Sequence, residues 1–257
     1  MKKFAKVFAL AVMMIICGQS MAQTRGVMFV GASVPMFDYA KFDGFDGFAL
    51  KTMDENDAGA GLGFSAGLKW YFNMGVEGLD VMLSIDGIYN GVNPDLKAAY
   101  RSNEVVLGDQ ILGGSFKYNS TPWYFNLPMM LGLNYLYHFN DNLGVFVEAG
   151  AGGNMRFITE MESVSKGSLL GIETQIRTTE KYDKAFGFAY QAGIGIEVAS
   201  NLVIGCSFYD LGNAGVKSER IVKSTTLNDN VTNSSTYYSD YGNIHPVMIV
   251  GRIGFSF

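Results

Sequence analysis

Large apolar residues alternate with small or polar ones along several stretches of this chain, which is the period of a β-strand with two different faces. In residues 62–72, LGFSAGLKWYF, every even position is apolar, whereas the odd positions hold glycine, serine, lysine and tyrosine. The alternation recurs in residues 123–137, 143–157, 186–198 and 247–257, and more weakly in 26–37, 79–90 and 202–211. The pattern therefore predicts about eight strands.

The lengths of these strands and of their connections indicate a membrane barrel. Most of them approach or exceed the roughly 9 to 11 residues that a tilted strand needs to cross a bilayer, whereas strands of soluble sandwiches usually have about five or six. Short connections rich in Asn, Asp and Gly alternate with long polar ones at 38–58, 91–120, 158–184 and 212–244. This asymmetry is typical of outer-membrane barrels, with short periplasmic turns and longer outer loops. We therefore predict an all-β fold, a transmembrane antiparallel up-and-down β-barrel.

Aromatic residues and one proline add detail to this prediction. We expect two interfacial belts at the strand ends. The periplasmic belt would contain Trp70, Tyr71, Phe72, Tyr135, Tyr137, Phe139, Phe255 and Phe257, and the outer belt Phe37, Tyr39, Tyr89, Trp123, Tyr124, Phe157, Phe208 and Tyr209. Pro128 falls inside a strand with no free edge, so we predict a β-bulge there with one ladder hydrogen bond missing.

The start of the chain has the character of a secretory signal peptide. Three lysines precede the apolar run 7–16, and Ser20-Met21-Ala22 offers small residues for cleavage. The run is about half the roughly 20 residues that a spanning helix needs, which disfavours an anchor. A lipoprotein signal ending at Cys17 is the alternative, although the residue before it is not small. We assign 1–22 to the signal and 23–257 to one barrel domain.

Composition fits an exported barrel. The chain has 32 glycines, 14% aromatic residues and a net charge of −5, and loss of the lysine-containing signal makes it more acidic. An acidic chain without a basic patch disfavours nucleic acid as a partner. Loss of Cys17 leaves Cys206 alone, so no intrachain disulfide is expected.

Charged residues share the inward parity of the predicted strands. An eight-stranded interior has room only for its own side chains, and an unpaired buried charge costs several kcal/mol. We therefore predict a lumen in which Arg and Glu meet, with a pore or proton path as the alternative. The predicted network consists of Lys69, Glu148, Arg156, Glu197 and Arg252, and the same parity includes Asp80, Asp86 and Gln191.

Residues suited to catalysis or metal binding are few. Of the two histidines, His138 is placed at the periplasmic end, whereas His245 is placed at the outer start of the last strand, after Ser239 and Asp240 of the preceding loop. A hydrolase site there is one interpretation, and a solvated loop histidine is the other. The acidic residues Asp43, Asp46, Asp54, Glu55 and Asp57 could hold Ca²⁺, but a charged solvated loop also explains them. We predict no catalytic residue, no cofactor, no metal site and no enzymatic activity.

Two segments carry a family resemblance. The signal, the alternating strands and the terminal Phe257 resemble the small outer-membrane barrels of Gram-negative bacteria, of the OmpA and OmpX type. Residues 126–132, NLPMMLG, and 145–152, VFVEAGAG, resemble more closely the barrel-domain proteins of Bacteroidetes, including the PorT-like group. The resemblance implies a place in the lipid of the outer membrane. It also implies that the barrel-assembly machinery reads the terminal strand, with Phe255 and Phe257 as its signal.

Functionally, these observations favour a structural or surface-interaction protein with a side-chain-filled lumen, whose long outer loops carry whatever binding it does. An extracellular or periplasmic protein is a possible partner, and the sequence does not identify it. The alternatives are a narrow porin-like channel for small solutes, an accessory role in secretion or envelope assembly, as the PorT-like resemblance implies, and a lipid-processing enzyme that uses His245.

Overall fold

The computed structural model describes residues 24–42, 58–110, 114–169, 172–199, 201–226 and 231–257. Its elements are β1 (Thr24–Met36), a 3-10 helix (Phe37–Tyr39), β2 (Ala60–Val76), β3 (Leu79–Val92), α1 (Pro94–Gln110), β4 (Ser115–Ser120), β5 (Tyr124–Asn140), β6 (Leu143–Ile158), β7 (Met161–Leu169), β8 (Ile172–Tyr182), β9 (Ala185–Val198), β10 (Leu202–Asp210), β11 (Ala214–Thr226), β12 (Val231–Ile244) and β13 (Val247–Ser256). Within these described ranges, no helix is long and apolar enough to cross a membrane. The predicted signal, residues 1–22, lies outside them.

Eight strands form a closed barrel in which each strand is antiparallel to its neighbours. Around the wall the order is β1-β13-β10-β9-β6-β5-β3-β2, which is the order along the chain closed by the pairing of β13 with β1. At this seam Gly26 and Phe257 exchange two backbone hydrogen bonds, at 3.0 and 2.9 Å. The predicted antiparallel up-and-down barrel is confirmed, and each strand begins and ends within a few residues of its predicted bounds.

The two faces of the wall have opposite character. Leu62 and Phe64 of β2 are 75% and 61% exposed, whereas Ser65 and Lys69 of the same strand are buried. Other large apolar side chains exposed on the wall include Met28, Val30, Leu131, Leu133, Val147, Phe186, Phe188, Ile194, Ile204 and Ile253. Apolar residues therefore cover the outside of the wall, whereas the charged residues of the strands point inward, the reverse of a water-soluble barrel.

The predicted aromatic belts are wrong for four tyrosines. Tyr39, Tyr71, Tyr124 and Tyr209 are buried rather than on the outer wall. Three of them have inward parity on their strands, and closeness to a strand end does not decide which face a side chain takes. The belt residues that are exposed on the wall include Trp123, Tyr135, Tyr137, Phe139, Phe255 and Phe257.

The predicted bulge at Pro128 is also wrong. Ile85 pairs with Met129 and Ile88 pairs with Asn126, so the count of residues is equal on the two strands. Pairing is absent between these two pairs, beside the proline that has no N–H to donate. The strand accommodates the missing donor without an extra residue.

The long connections contain regular structure that the sequence did not predict. Five strands from the connections within 91–120, 158–184 and 212–244 form a separate antiparallel sheet with the order β12-β11-β8-β7-β4, called the extension sheet below. Two hairpins, β7–β8 and β11–β12, supply four of its strands. The remaining predicted loop, 38–58, lies mostly outside the described residues.

Helix α1 covers one side of the extension sheet. Asn93 caps it, because the Leu96 N–H donates to Asn93 Oδ1 at 2.7 Å, and Pro94 stands at the first helical position. The buried Leu96 and Tyr100 of the helix pack against Met161 of β7. The helix thereby packs against one face of the sheet at β4 and β7. On the opposite face, here called the open face, Lys117 and Arg177 are exposed.

Candidate functional site

A charged layer lies across the middle of the barrel. Lys69 of β2 donates to the carboxylate of Glu148 on β6, and both side chains are almost fully buried. Ser207 of β10 donates to Glu148 Oε1 at 3.1 Å, and Tyr71 donates to Oε2 at 3.4 Å. This carboxylate thus has three donors, which the two strands β2 and β10 supply.

The same layer continues on the neighbouring strands. The Tyr209 hydroxyl donates to Asp86 Oδ2 at 2.5 Å, and it accepts from Arg252 Nη2 at 2.5 Å. The Arg252 guanidinium also lies 4.3 Å from the ring centre of Phe29, a cation–π distance. With the Lys69–Glu148 pair, the layer holds two cations and two carboxylates, so each buried charge has an opposite charge in the same layer.

Apolar side chains close the lumen on both sides of the charged layer. Toward the short turns, one buried cluster consists of Val27, Tyr71, Met82, Leu136, Phe146 and Val203. Toward the long connections, a larger cluster includes Ile88, Met130, Met248 and Val250. The described lumen is therefore filled in three layers, apolar, charged and apolar.

Glycines make room for the charged side chains. A Cβ at Gly193 would lie 2.6 Å from Glu148 Oε1 and 2.5 Å from Ser207 Oγ. At Gly67 it would lie 2.4 Å from Asp86 Oδ1. Since non-bonded heavy atoms rest at about 3.5 to 4.0 Å, a Cβ at Gly193 would displace the Glu148 and Ser207 side chains from this arrangement. At Gly67 a Cβ would also lie 2.6 Å from the backbone oxygen of Ile85, which cannot move as easily.

The five residues predicted as a network occupy three places in the barrel. Lys69, Glu148 and Arg252 lie in the charged layer. Glu197 accepts from Arg25 near the short turns, a partner that the sequence analysis missed although Arg25 has inward parity on β1. Arg156 lies near the opposite end. Tyr209, which was expected in an interfacial belt, is also a member of the charged layer.

Among the described residues Arg156 does not meet a glutamate, which corrects its place in the predicted network of Arg and Glu. Arg156 and Glu148 stand eight residues apart on β6, which at about 3.4 Å per residue is about 27 Å. Within the described residues its guanidinium donates only to neutral oxygens, those of Ile244 at 2.6 Å, Gly212 at 3.2 Å and Asn126 at 3.4 Å. Parity gave its face but not its height in the barrel.

These bonds make Arg156 an anchor for the β11–β12 hairpin. The carbonyl of Gly212 precedes β11, and the carbonyl of Ile244 ends β12. One buried side chain of the barrel therefore binds the backbone at both ends of the hairpin. Backbone pairing adds to this, because the Leu211 N–H donates to the Pro246 carbonyl at 2.9 Å.

His245 directly follows the β11–β12 hairpin, and its side chain contacts Asp210. Its Nε2 is 2.6 Å from Asp210 Oδ1, and the Gly212 N–H donates to that oxygen at 3.0 Å. The side chains of Ser239 and Asp240 lie outside the described residues, so the hydrolase interpretation stays a prediction. His138 is exposed at the opposite end of β5.

A metal site is not evident in the part of the chain that the structure describes. No group of three or more His, Cys, Asp or Glu side chains there could hold an ion. The acidic residues proposed as Ca²⁺ ligands, Asp43, Asp46, Asp54, Glu55 and Asp57, lie outside the described ranges.

Glu180 is a buried carboxylate of the extension sheet. Its side chain is 1% exposed, and the Arg220 guanidinium lies 3.6 Å away on β11. Burial raises the pKa of Glu180, and the opposing effects of Arg220 and of hydrogen bonds from Ser218 and Arg220 are smaller. Glu180 of β8 pairs directly with the buried Met161 of β7, so the two side chains lie on the same face of the sheet.

Comparison with known proteins gives structural likeness only. No protein-family model matches the chain, and no curated protein matches it in sequence. Similar solved structures include Ail, the attachment invasion locus protein of Yersinia pestis (16% identity, TM-score 0.33, 91% of this chain and 97% of that one). They also include Neisserial surface protein A (9%, 0.38, 93% and 100%) and the outer membrane protein OprG from Pseudomonas aeruginosa (12%, 0.36, 91% and 94%). The resemblance to the PorT-like group stays a prediction.

Proposed function

We propose that this chain is an outer-membrane β-barrel without enzymatic activity, which presents its extension sheet outside the cell as a binding surface. The apolar outer wall around a charged, filled lumen carries this proposal. Soluble monomers rarely expose contiguous apolar patches larger than a few hundred Å². A closed barrel satisfies its own backbone and can place such a wall in hydrocarbon.

The placement of the connections supports this orientation. The three short turns, after β2, β5 and β9, lie at the same end of the barrel as Thr24 and Phe257. The extension sheet lies at the other end, as expected for the outer side of such barrels. On this proposal Phe255 and Phe257, which are 63% and 73% exposed, are recognised by the barrel-assembly machinery.

The interior is the weaker candidate for binding. Its charged layer is enclosed by apolar clusters, and an eight-stranded barrel is wide enough only for its own side chains. A rigid scaffold that carries a surface sheet is the usual arrangement for recognition by connecting segments. Binding is therefore assigned to the extension sheet.

Trypsin treatment of whole cells, followed by mass spectrometry, tests the proposal. We expect cleavage after exposed residues of the extension sheet such as Lys166 and Arg177, and no cleavage after Lys69 or Arg252 inside the barrel. Recovery of the protein as a folded, monodisperse species in buffer without detergent would contradict it.

One observation favours a second candidate, a narrow solute channel. Among the residues that the structure describes, several buried polar atoms facing the lumen have no hydrogen-bond partner, including Ser65 Oγ, Ser84 Oγ, Gln191 Oε1 and Arg252 Nη1. Such atoms are usually hydrated, so water could thread between them. Steady ion current through the reconstituted protein in a planar bilayer would favour the channel, and its absence favours the filled barrel.

A further inference from the structure

The open face of the extension sheet gathers cations that are far apart in the sequence. Backbone pairing sets Lys117, Val164, Arg177 and Lys223 in one row across β4, β7, β8 and β11. Lys166 lies two residues beyond Val164 on β7 and therefore on the same face. All four cations are exposed. We call Lys117, Lys166, Arg177 and Lys223 the cationic face.

The arrangement is electrostatically unfavourable for the protein alone. Arg177 and Lys223 stand directly opposite each other on strands about 4.8 Å apart, a position in which like charges destabilise a sheet. Glu162 contacts Arg177 at 3.8 Å but also accepts from Asn119 at 2.6 Å. Within the described residues Lys223 makes no ion pair. An anion that bound between Arg177 and Lys223 would remove this repulsion.

A groove of about 290 Å³ crosses the same face. It is lined by Ser115, Lys117, Asn119, Val164, Lys166, Gln175 and Arg177. The three cations suit carboxylate, sulfate or phosphate groups, and the hydroxyl and amide groups suit sugar hydroxyls. Among the side chains that the structure describes, the carboxylates of this face are those of Glu162, Glu173 and Glu219, and none of the three lines the groove.

The lining also disfavours other anionic partners. Its residues include no aromatic ring on which the bases of a single-stranded nucleic acid could stack. It offers Val164 as its sole apolar side chain, whereas protein partners usually bind through buried aromatic or Arg anchors in well-packed pockets. A polar and cationic groove fits a charged carbohydrate better than either of these partners.

We propose that the cationic face binds a polyanionic polysaccharide from the surroundings of the cell. This inference rests on the proposed function, because it requires the extension sheet to face outward. The chain as a whole is acidic, with a net charge of −5, so its overall charge repels a polyanion. Binding must therefore come from this local surface.

Binding of the full chain in detergent to immobilised dextran sulfate tests the inference, with uncharged dextran as the reference polymer. We expect binding to dextran sulfate that weakens with salt, and none to dextran. The double variant Arg177→Gln/Lys223→Gln should bind about tenfold more weakly, which corresponds to about 1.4 kcal/mol. The matched control Lys97→Gln/Arg101→Gln removes one exposed Lys and one exposed Arg from α1 and should bind as the unmodified protein does.

Three outcomes would overturn the inference. Equal losses in the two double variants would assign binding to overall charge. Tighter binding to poly-glutamate than to dextran sulfate would indicate an acidic protein partner instead. No binding by a protein that keeps the heat-dependent gel mobility of a folded barrel would remove the inference and leave the proposed function standing. Failure of the proposed function is recognised separately, as solubility of the folded protein without detergent. If the double variant fails to fold, the single variant Lys166→Gln replaces it in the same binding measurement and should also bind dextran sulfate more weakly.

Discussion

At the scale of single residues, the lumen depends on charges that are buried together. Glu148 receives donors from Lys69, Tyr71 and Ser207, and Asp86 receives one from Tyr209. Breaking one member of a buried pair leaves the other charged and unpaired, which is more destabilising than losing an exposed pair. The alternating pattern predicted that Lys69, Glu148 and Asp86 face inward, whereas it did not predict the buried positions of Tyr71 and Tyr209. It could not predict their partners, because contacts across a lumen depend on the stagger of strands that are distant in sequence.

Glu148→Ala tests the role of this carboxylate. The variant leaves Lys69 buried without its partner, so we expect the barrel to lose about 3 to 5 kcal/mol of stability. The measurement is the temperature at which the purified protein loses its folded gel mobility. Glu160→Ala, which removes a carboxylate whose side chain is 61% exposed, serves as the control. Equal melting temperatures for the two variants would show that the layer is not a stabilising network.

At the scale of elements, barrel strands and extension strands differ in how much their sequences reveal. The barrel strands alternate apolar with polar residues because one face meets the apolar exterior and the other the lumen. In β12, VTNSSTYYSDYGNI, both the odd and the even positions are mostly polar. Its sequence therefore lacks the apolar–polar alternation that would distinguish a strand from a solvated loop. Its pairing with β11 supplies the order that its side chains do not indicate. The cationic face could not be predicted for the same reason. Its four residues lie on four different strands and come together only when those strands pair.

Arg156→Gln tests the attachment of the β11–β12 hairpin. The shorter amide cannot reach the carbonyls of both Gly212 and Ile244, so we expect the hairpin to detach while the barrel stays closed. Limited trypsin digestion should then cleave faster after Lys217 and Lys223, with unchanged gel mobility of the barrel. A digestion rate equal to that of the unmodified protein would show that backbone pairing alone fixes the hairpin.

Glu180 gives the extension sheet a pH dependence. Burial raises the pKa of Glu180, so the folded sheet holds this proton more tightly than the unfolded chain does. The stabilisation is complete below the ordinary carboxyl pKa of about 4.3 and is lost as pH rises through the raised pKa. We therefore expect amides of β8 to exchange more slowly relative to their intrinsic rates at about pH 5 than at about pH 7.

Glu180→Gln keeps the shape of that side chain and removes its titration. Its β8 amides should show the same protection at both pH values, whereas Glu160→Gln should keep the difference seen in the unmodified protein. Retention of the full pH dependence in Glu180→Gln would assign the effect to another group.

At the scale of the whole molecule, one closed sheet separates two environments for side chains. The wall buries its charges inward and exposes its apolar residues outward, and the extension sheet places polar groups on its open face. The sequence predicted this division because strand parity and strand length are local properties. The relation between barrel and extension sheet depends on contacts such as those of Arg156, which join residues 56 and 88 positions apart.

Cys206 offers a position at which the environment of the outer wall can be measured directly. Its thiol is free and exposed on β10, between the outward-facing Ile204 and Phe208, and it is the one cysteine in the described part of the chain. A nitroxide attached there in a reconstituted bilayer should collide readily with dissolved oxygen and rarely with a water-soluble nickel complex. Moving the label to position 117 by Cys206→Ser/Lys117→Cys should reverse that preference. This native thiol is thus a marker of acyl-chain depth, and preferential collision with nickel at position 206 would show that the wall faces water.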